Sequence, residues 1–91
     1  MPSLVTYDVP EKHVELKKKL FKLGYLAQIS TQSCPTFYFP NTTFYHSTKT
    51  PLQAREDVKA ICKKIQIDLE RCVATIWDSW AAICGQPFNN H

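Results

Sequence analysis

Three sets of residues in this chain have types and positions that can do chemistry: one carboxylate, a run of lysines and one histidine. Asp8 closes the apolar run Leu4-Val5-Thr6-Tyr7 and stands directly before Val9-Pro10. Mg²⁺ or Mn²⁺ wants oxygen ligands. Two copies of Asp8 meeting across a two-fold axis would present paired carboxylates, a metal site able to organise phosphodiester hydrolysis. The same aspartate, just ahead of a helix, can instead cap it or its loop. His46 follows an aromatic stretch and is of the type used as a general acid or base. No sequence-local partner accompanies it, and His13, His46 and His91 lack metal-ligand spacing.

The lysines are Lys12, Lys17, Lys18, Lys19 and Lys22. By helical angle, Lys12, Lys18, Lys19 and Lys22 span the side turned away from the stripe Leu16, Leu20 and Leu23. There they can touch nucleic-acid phosphates without reading bases. Glu11 and Glu15 dilute the patch, and Glu15 is placed to pair with Lys19, so an ordinary solvated face is the competing account. Eleven basic against eight acidic residues give +3, a mild bias that a polyanion partner fits but does not require. Phe37, Tyr38, Phe39, Phe44 and Tyr45 can stack bases on an open sheet, or form core or a dimer interface. No basic residues are interleaved among them.

Other chemistries are not indicated. There is no glycine-rich phosphate loop and no nucleophile elbow. Cys34, Cys62, Cys72 and Cys84 are widely spaced without a Cys-x-x-Cys pair, which disfavours a zinc ribbon or a thioredoxin-like site. Two disulfides are formally open. The opening residues contain no cleavable apolar segment, so the expectation is a cytoplasmic protein with free thiols, with Cys62, Cys72 and Cys84 as small core residues. No run of 18 apolar residues is present, so no membrane span is expected.

The elements that must position these residues follow from local pattern. At 91 residues the chain is expected to be one domain, 1–91. Residues 3–9 alternate as a strand. Pro10 suits the first turn of a helix over 10–23, with Gly24 as the stop. Residues 25–30 read as a second strand. Residues 36–39 and 42–46, interrupted by Pro40-Asn41, read as one bulged strand or a tight hairpin. Thr50-Pro51-Leu52-Gln53 carries a capping-box pattern that opens a helix over 51–65, with an extension to Glu70 left open. Residues 72–77 form a strand, and Trp80 to Cys84 a further C-terminal strand, joined as a Trp-to-Trp hairpin. Residues 86–91 read as a frayed tail.

The order strand, helix, strand, strand, helix, strand suits an α+β, ferredoxin-like sandwich, with two helices on one face of an antiparallel sheet. A second copy of the chain is a sensible cover for the other face.

At Tyr7-Asp8-Val9-Pro10, followed by the basic helix, the sequence resembles the small CRISPR-associated proteins of the Cas2 type and their bacterial relatives. That resemblance implies a ferredoxin-like homodimer. Asp8 would help to hold a divalent metal at the dimer axis in a nuclease, or the fold would serve as a DNA-binding scaffold. The sequence departs from that pattern where Ser30-Thr31-Gln32-Ser33-Cys34 brings no positive charge and where the helix uses lysine rather than arginine. The leading expectation is therefore a dimeric DNA- or RNA-associated protein, with divalent-metal nuclease activity left open. The alternatives are a protein-interaction or regulatory module using aromatic surface and sheet edge, and a small ribonuclease using His46 or Asp8.

Overall fold

Alternation along Leu4-Val5-Thr6-Tyr7 becomes the central strand of the molecule in the computed structural model, which describes residues 2–31, 34–78, 80, 81 and 83–85. The elements run β1 (Ser3–Asp8), α1 (His13–Lys22), β2 (Gln28–Ile29), β3 (Phe37–Tyr38), β4 (Thr43–His46), α2 (Pro51–Lys64) and β5 (Arg71–Ile76). Three strands form an antiparallel sheet in the order β4-β1-β5, and β2 pairs with β3 as a separate antiparallel ribbon. The chain is thus α+β, with two helices and antiparallel sheets. No helix among the described residues is long and apolar enough to cross a membrane.

Because side chains alternate across a strand, β1 serves two cores at once. Val5 and Tyr7 face the helices and bury against Leu16 and Leu20 of α1 and Ala54, Val58 and Ile61 of α2. Leu4 faces the other way, into a smaller cluster of Cys34, Phe37, Phe39, Ile29, Tyr45 and Trp77. Leu16, Leu20 and Val58 are fully buried. Truncating a buried leucine to alanine costs about 2–5 kcal/mol, a large share of the stability of a small domain.

Helix ends follow their local chemistry. At α2, Thr50 Oγ1 accepts from Gln53 N (3.1 Å) and Gln53 Oε1 accepts from Thr50 N (2.9 Å), the reciprocal capping box expected from sequence. At the end of α1, Tyr25 N donates to Leu20 O and Gly24 N to Phe21 O. This double closure needs a left-handed residue, which Gly24 supplies at φ 92°. The same closure ends α2, with Gln66 at φ 61° in the glycine position.

Four expectations are corrected. Helix α1 starts at His13 rather than Pro10: Lys12 takes a left-handed conformation (φ 60°), and residues 10–12 are used to turn the chain from sheet to helix layer. Residues 36–39 and 42–46 are neither a bulged strand nor a hairpin. Thr43 N bonds back to Pro40 O (3.1 Å) in a turn, and β3 and β4 then join different sheets. The second strand shrinks to β2 and a single bridge between Leu26 and Tyr45. The described part of 80–84 forms no strand, although Trp80 stacks on Trp77 with ring centroids 4.6 Å apart. The expected tail at 86–91 lies outside the described residues.

Cysteine pairing is the fifth correction. Cys34 and Cys84 are joined by a disulfide (Cα–Cα 5.7 Å), while Cys62 and Cys72 are free. The bond closes a long loop, of sequence separation 50, and Tyr38 N donates to Cys84 O beside it (3.0 Å). Loop closure of this length is worth about 4 kcal/mol in the chain-entropy account. The unreduced, denatured chain should therefore titrate two thiols with a thiol reagent. Cys34→Ser should lower urea stability by about 2–4 kcal/mol. Four reactive thiols before reduction would contradict the bond.

Candidate functional site

Asp8 stands at the end of β1, directly across from Arg71 at the start of β5. Arg71 Nε donates to Asp8 Oδ2 at 2.6 Å, and both side chains are exposed. The hydrogen bond to Asp8, reinforced by its charge, raises the Arg71 pKa. Asp8 does not cap α1, whose N-cap is Lys12 without a side-chain cap. Its main-chain carbonyl accepts from Glu70 N (2.9 Å), closing the corner before β5. Among the described residues no group of three or more His, Cys, Asp and Glu gathers. In this structure the Asp8 carboxylate is held by the Arg71 guanidinium.

The four lysines singled out from sequence separate. Lys12 Nζ donates to Ile65 O (2.8 Å) and so clamps the start of α1 onto the end of α2. Lys18 and Lys22 are exposed and Lys19 is half-buried, and none of the three forms an ion pair among the described residues. Helix α1 carries four basic residues and one acidic; α2 carries four and two. The helices together stand at +5 against +3 for the whole chain, so the remainder carries −2. Positive charge is therefore segregated onto the helices.

His46 is buried, and both ring nitrogens meet main-chain groups. Nδ1 accepts from Thr48 N and Lys49 N, each at 3.2 Å. That assigns the proton to Nε2, which donates to Leu23 O at 3.0 Å. The ring also packs edge-on against Tyr25, centroids 4.8 Å apart. Tyr25 OH donates to Asp57 (2.8 Å), Lys49 pairs with the same carboxylate, and the Lys49 ammonium lies over the Tyr25 ring. Burial first, and then the bond to Asp57, push the Tyr25 phenol well above its ordinary range. This network ties the end of α1, the loop after β4 and α2 together. In it His46 is a brace that orders backbone.

Two features were missed from sequence. Arg71 as the partner of Asp8 follows only from pairing residues 63 apart. The other is Lys17, which is 9% exposed. Its Nζ donates to Asn41 Oδ1 at 2.7 Å, at a cleft of about 180 Å³ between α1 and residues 38–44. A signal was present: Lys17 lies three residues after Val14 and four before Phe21, the second apolar side of α1, and helical angle already left it out of the outward set. Phe21 meets Phe44 edge-on at 5.6 Å in the cleft wall. Cys62 and Cys72 are poor candidates for nucleophiles, because burial pushes both thiols up and keeps them protonated.

Comparison with protein-family models, with curated proteins and with solved structures finds no match.

Burial lowers the Lys17 pKa from its ordinary 10.5. Between the lowered value and 10.5 the unfolded chain holds this proton and the folded chain releases it, so folding gains stability as pH rises through that window. Tyr7 and Tyr25, whose phenols are raised by burial, act oppositely above about pH 10, and they do so equally in a Lys17→Met variant. The stability of wild type relative to Lys17→Met should therefore rise between pH 7 and the ordinary lysine range, measured by denaturant titration at several pH values. A difference independent of pH would contradict a desolvated Lys17.

Proposed function

We propose that this protein is a nucleic-acid-associated binding module that meets the phosphate backbone through its helix layer. The observation that carries the reading is charge segregation: the two helices hold +5 while the rest of the chain holds −2. Lys18 and Lys22, exposed four residues apart on α1, are the central contacts, and Lys63 and Lys64, also exposed, stand at the end of α2 that Lys12 holds against the start of α1. Lysine ammonium groups contact phosphates as point charges, so the mode is affinity for DNA or RNA backbone without sequence readout. A metal-dependent nuclease would need a second copy to supply another carboxylate and Arg71 to leave Asp8, and no catalytic step is assigned.

The proposed architecture is ferredoxin-like. The order β4-β1-β5, with Leu26 bridged to Tyr45 on the far side of β4, supports a four-stranded antiparallel order in which the second strand is reduced. Both helices pack on one face, as that arrangement requires. The resemblance of Tyr7-Asp8 to the CRISPR-associated family stands with this reading. For compartment, the Cys34–Cys84 disulfide favours an oxidising environment over the cytoplasm expected from reduced thiols.

A second reading, a protein-interaction module or homodimer through the sheet edge, is favoured by β5. Its outer edge has no partner strand among the described residues, and Val73 is 63% exposed. Edges of this kind accept another strand.

The test is fluorescence anisotropy with a labelled oligonucleotide across a salt series. Affinity should fall linearly in log salt, and Lys18→Glu with Lys22→Glu should weaken binding at least tenfold and flatten the salt slope by about 2. Binding that ignores both salt and the substitutions would overturn the proposal. A stoichiometric protein complex formed without nucleic acid would favour the sheet-edge reading.

A further inference from the structure

We propose that Asn41 is an N-glycosylation acceptor, modified as the chain enters the oxidising compartment that its disulfide favours. The motif is Asn41-Thr42-Thr43, an asparagine with a hydroxyl residue two positions on and no proline between. Such a triplet is short enough to arise by chance, so its setting decides. An acceptor asparagine belongs on a surface loop of a secreted protein, and both conditions find support in this fold.

The loop condition is met by the turn between β3 and β4. Thr43 N closes it onto Pro40 O at 3.1 Å, and Asn41 is exposed on it. A bulky group attached at an exposed turn displaces no core. The amide is also held the right way round. Lys17 Nζ donates to Asn41 Oδ1 at 2.7 Å. An ammonium is a donor only, so the atom it holds is the oxygen. The planar amide then places Nδ2, the atom that takes a sugar, on the other side of Cγ. Glycosylation keeps the carbonyl, so this hydrogen bond survives it.

Thr43, the hydroxyl residue of the triplet, is buried in the folded chain, its Oγ1 donating to Thr6 Oγ1 at 3.2 Å. The triplet is therefore open to a transferase before β4 pairs with β1. The compartment condition rests on other residues: the Cys34–Cys84 bond favours an oxidising route. The donor class is an oligosaccharide carried on a lipid diphosphate. A bond forms between Asn41 Nδ2 and the anomeric carbon. The anomeric C–O bond to the diphosphate breaks, its electron pair leaves with the diphosphate, and one amide proton is lost to base. None of this depends on the helix-layer reading, and the two stand or fall separately.

The test sends the full chain into the secretory route of a eukaryotic host behind a cleavable leader. A slower-migrating form should appear, and peptide N-glycosidase should return it to the unmodified mobility with aspartate in place of Asn41 in the peptide mass. Asn41→Gln and Thr43→Ala should each abolish the slow form. Thr43→Ser, which keeps the hydroxyl, should retain it. Transfer precedes folding, so a variant that folds poorly is still read in total cell material. The glycosylated chain should hold the Cys34–Cys84 bond in its peptide map. Recovery of the disulfide-bonded chain with Asn41 bare, a slow form that survives Asn41→Gln or Thr43→Ala, or a glycosylated chain lacking the Cys34–Cys84 bond would overturn the proposal.

Discussion

The structure depends on one strand having neighbours on both sides and an apolar residue on each face. Since the outer edge of β4 carries only the single Leu26–Tyr45 bridge, β1 alone among the described strands pairs with a full strand along each edge. Its alternation forces the chain to cover two faces. The helix face is covered conventionally, by stripes at helical spacing on α1 and α2. Among the described residues the opposite face is covered at one end, where Phe37, Phe39 and Trp77 pack with Leu4 and Tyr45. At the other end Thr6, Asp8, Arg71 and Val73 remain exposed. The disulfide fastens the covered end. In a small domain a second core of this size has too little apolar surface to order long loops alone, and a crosslink offsets that deficit.

That division explains where side chains able to do chemistry end up. The aromatic residues that can stack bases are spent on packing: Phe37, Phe39 and Phe44 are buried, and Phe39 stacks on Tyr45 and meets Trp77 edge-on. His46 is spent on joining the end of α1 to the loop after β4, and Asp57, inside α2, on holding Tyr25 and Lys49. Charge is left to the helices, where solvent-exposed lysines cost little and repel one another only weakly at physiological salt. Exposed positive charge thus sits on the layer that the sheet does not need.

Local signals in the sequence were legible and non-local ones were not. Thr50-Pro51-Leu52-Gln53 contains its own hydrogen-bond partners, so the start of α2 could be read directly. Gly24 marked the end of α1 because a left-handed position favours glycine. The same geometry at Gln66 carried no such mark. Sorting the α1 lysines by helical angle left Lys17 out of the outward set without assigning it a place, and its burial was read only from the structure. By contrast, Phe37-Tyr38 and Thr43-Phe44-Tyr45-His46 look alike as strands, and only distant partners assign them to different sheets. The Asp8–Arg71 pair and the Cys34–Cys84 bond likewise join residues 63 and 50 positions apart, beyond the reach of periodicity or spacing. The late start of α1 reflects a tertiary demand, since the chain must turn the corner before Lys12 can clamp α2.

The central functional claim is that the helix layer, not the sheet, meets nucleic acid. Its most direct test is mapping amide chemical-shift changes over the folded chain as an oligonucleotide is added at low salt. The account predicts changes concentrated at Lys18, Lys22, Lys63 and Lys64, with the outer sheet face unaffected. Changes centred on Thr6, Val73, Trp77 and Trp80, with the helices silent, would contradict it.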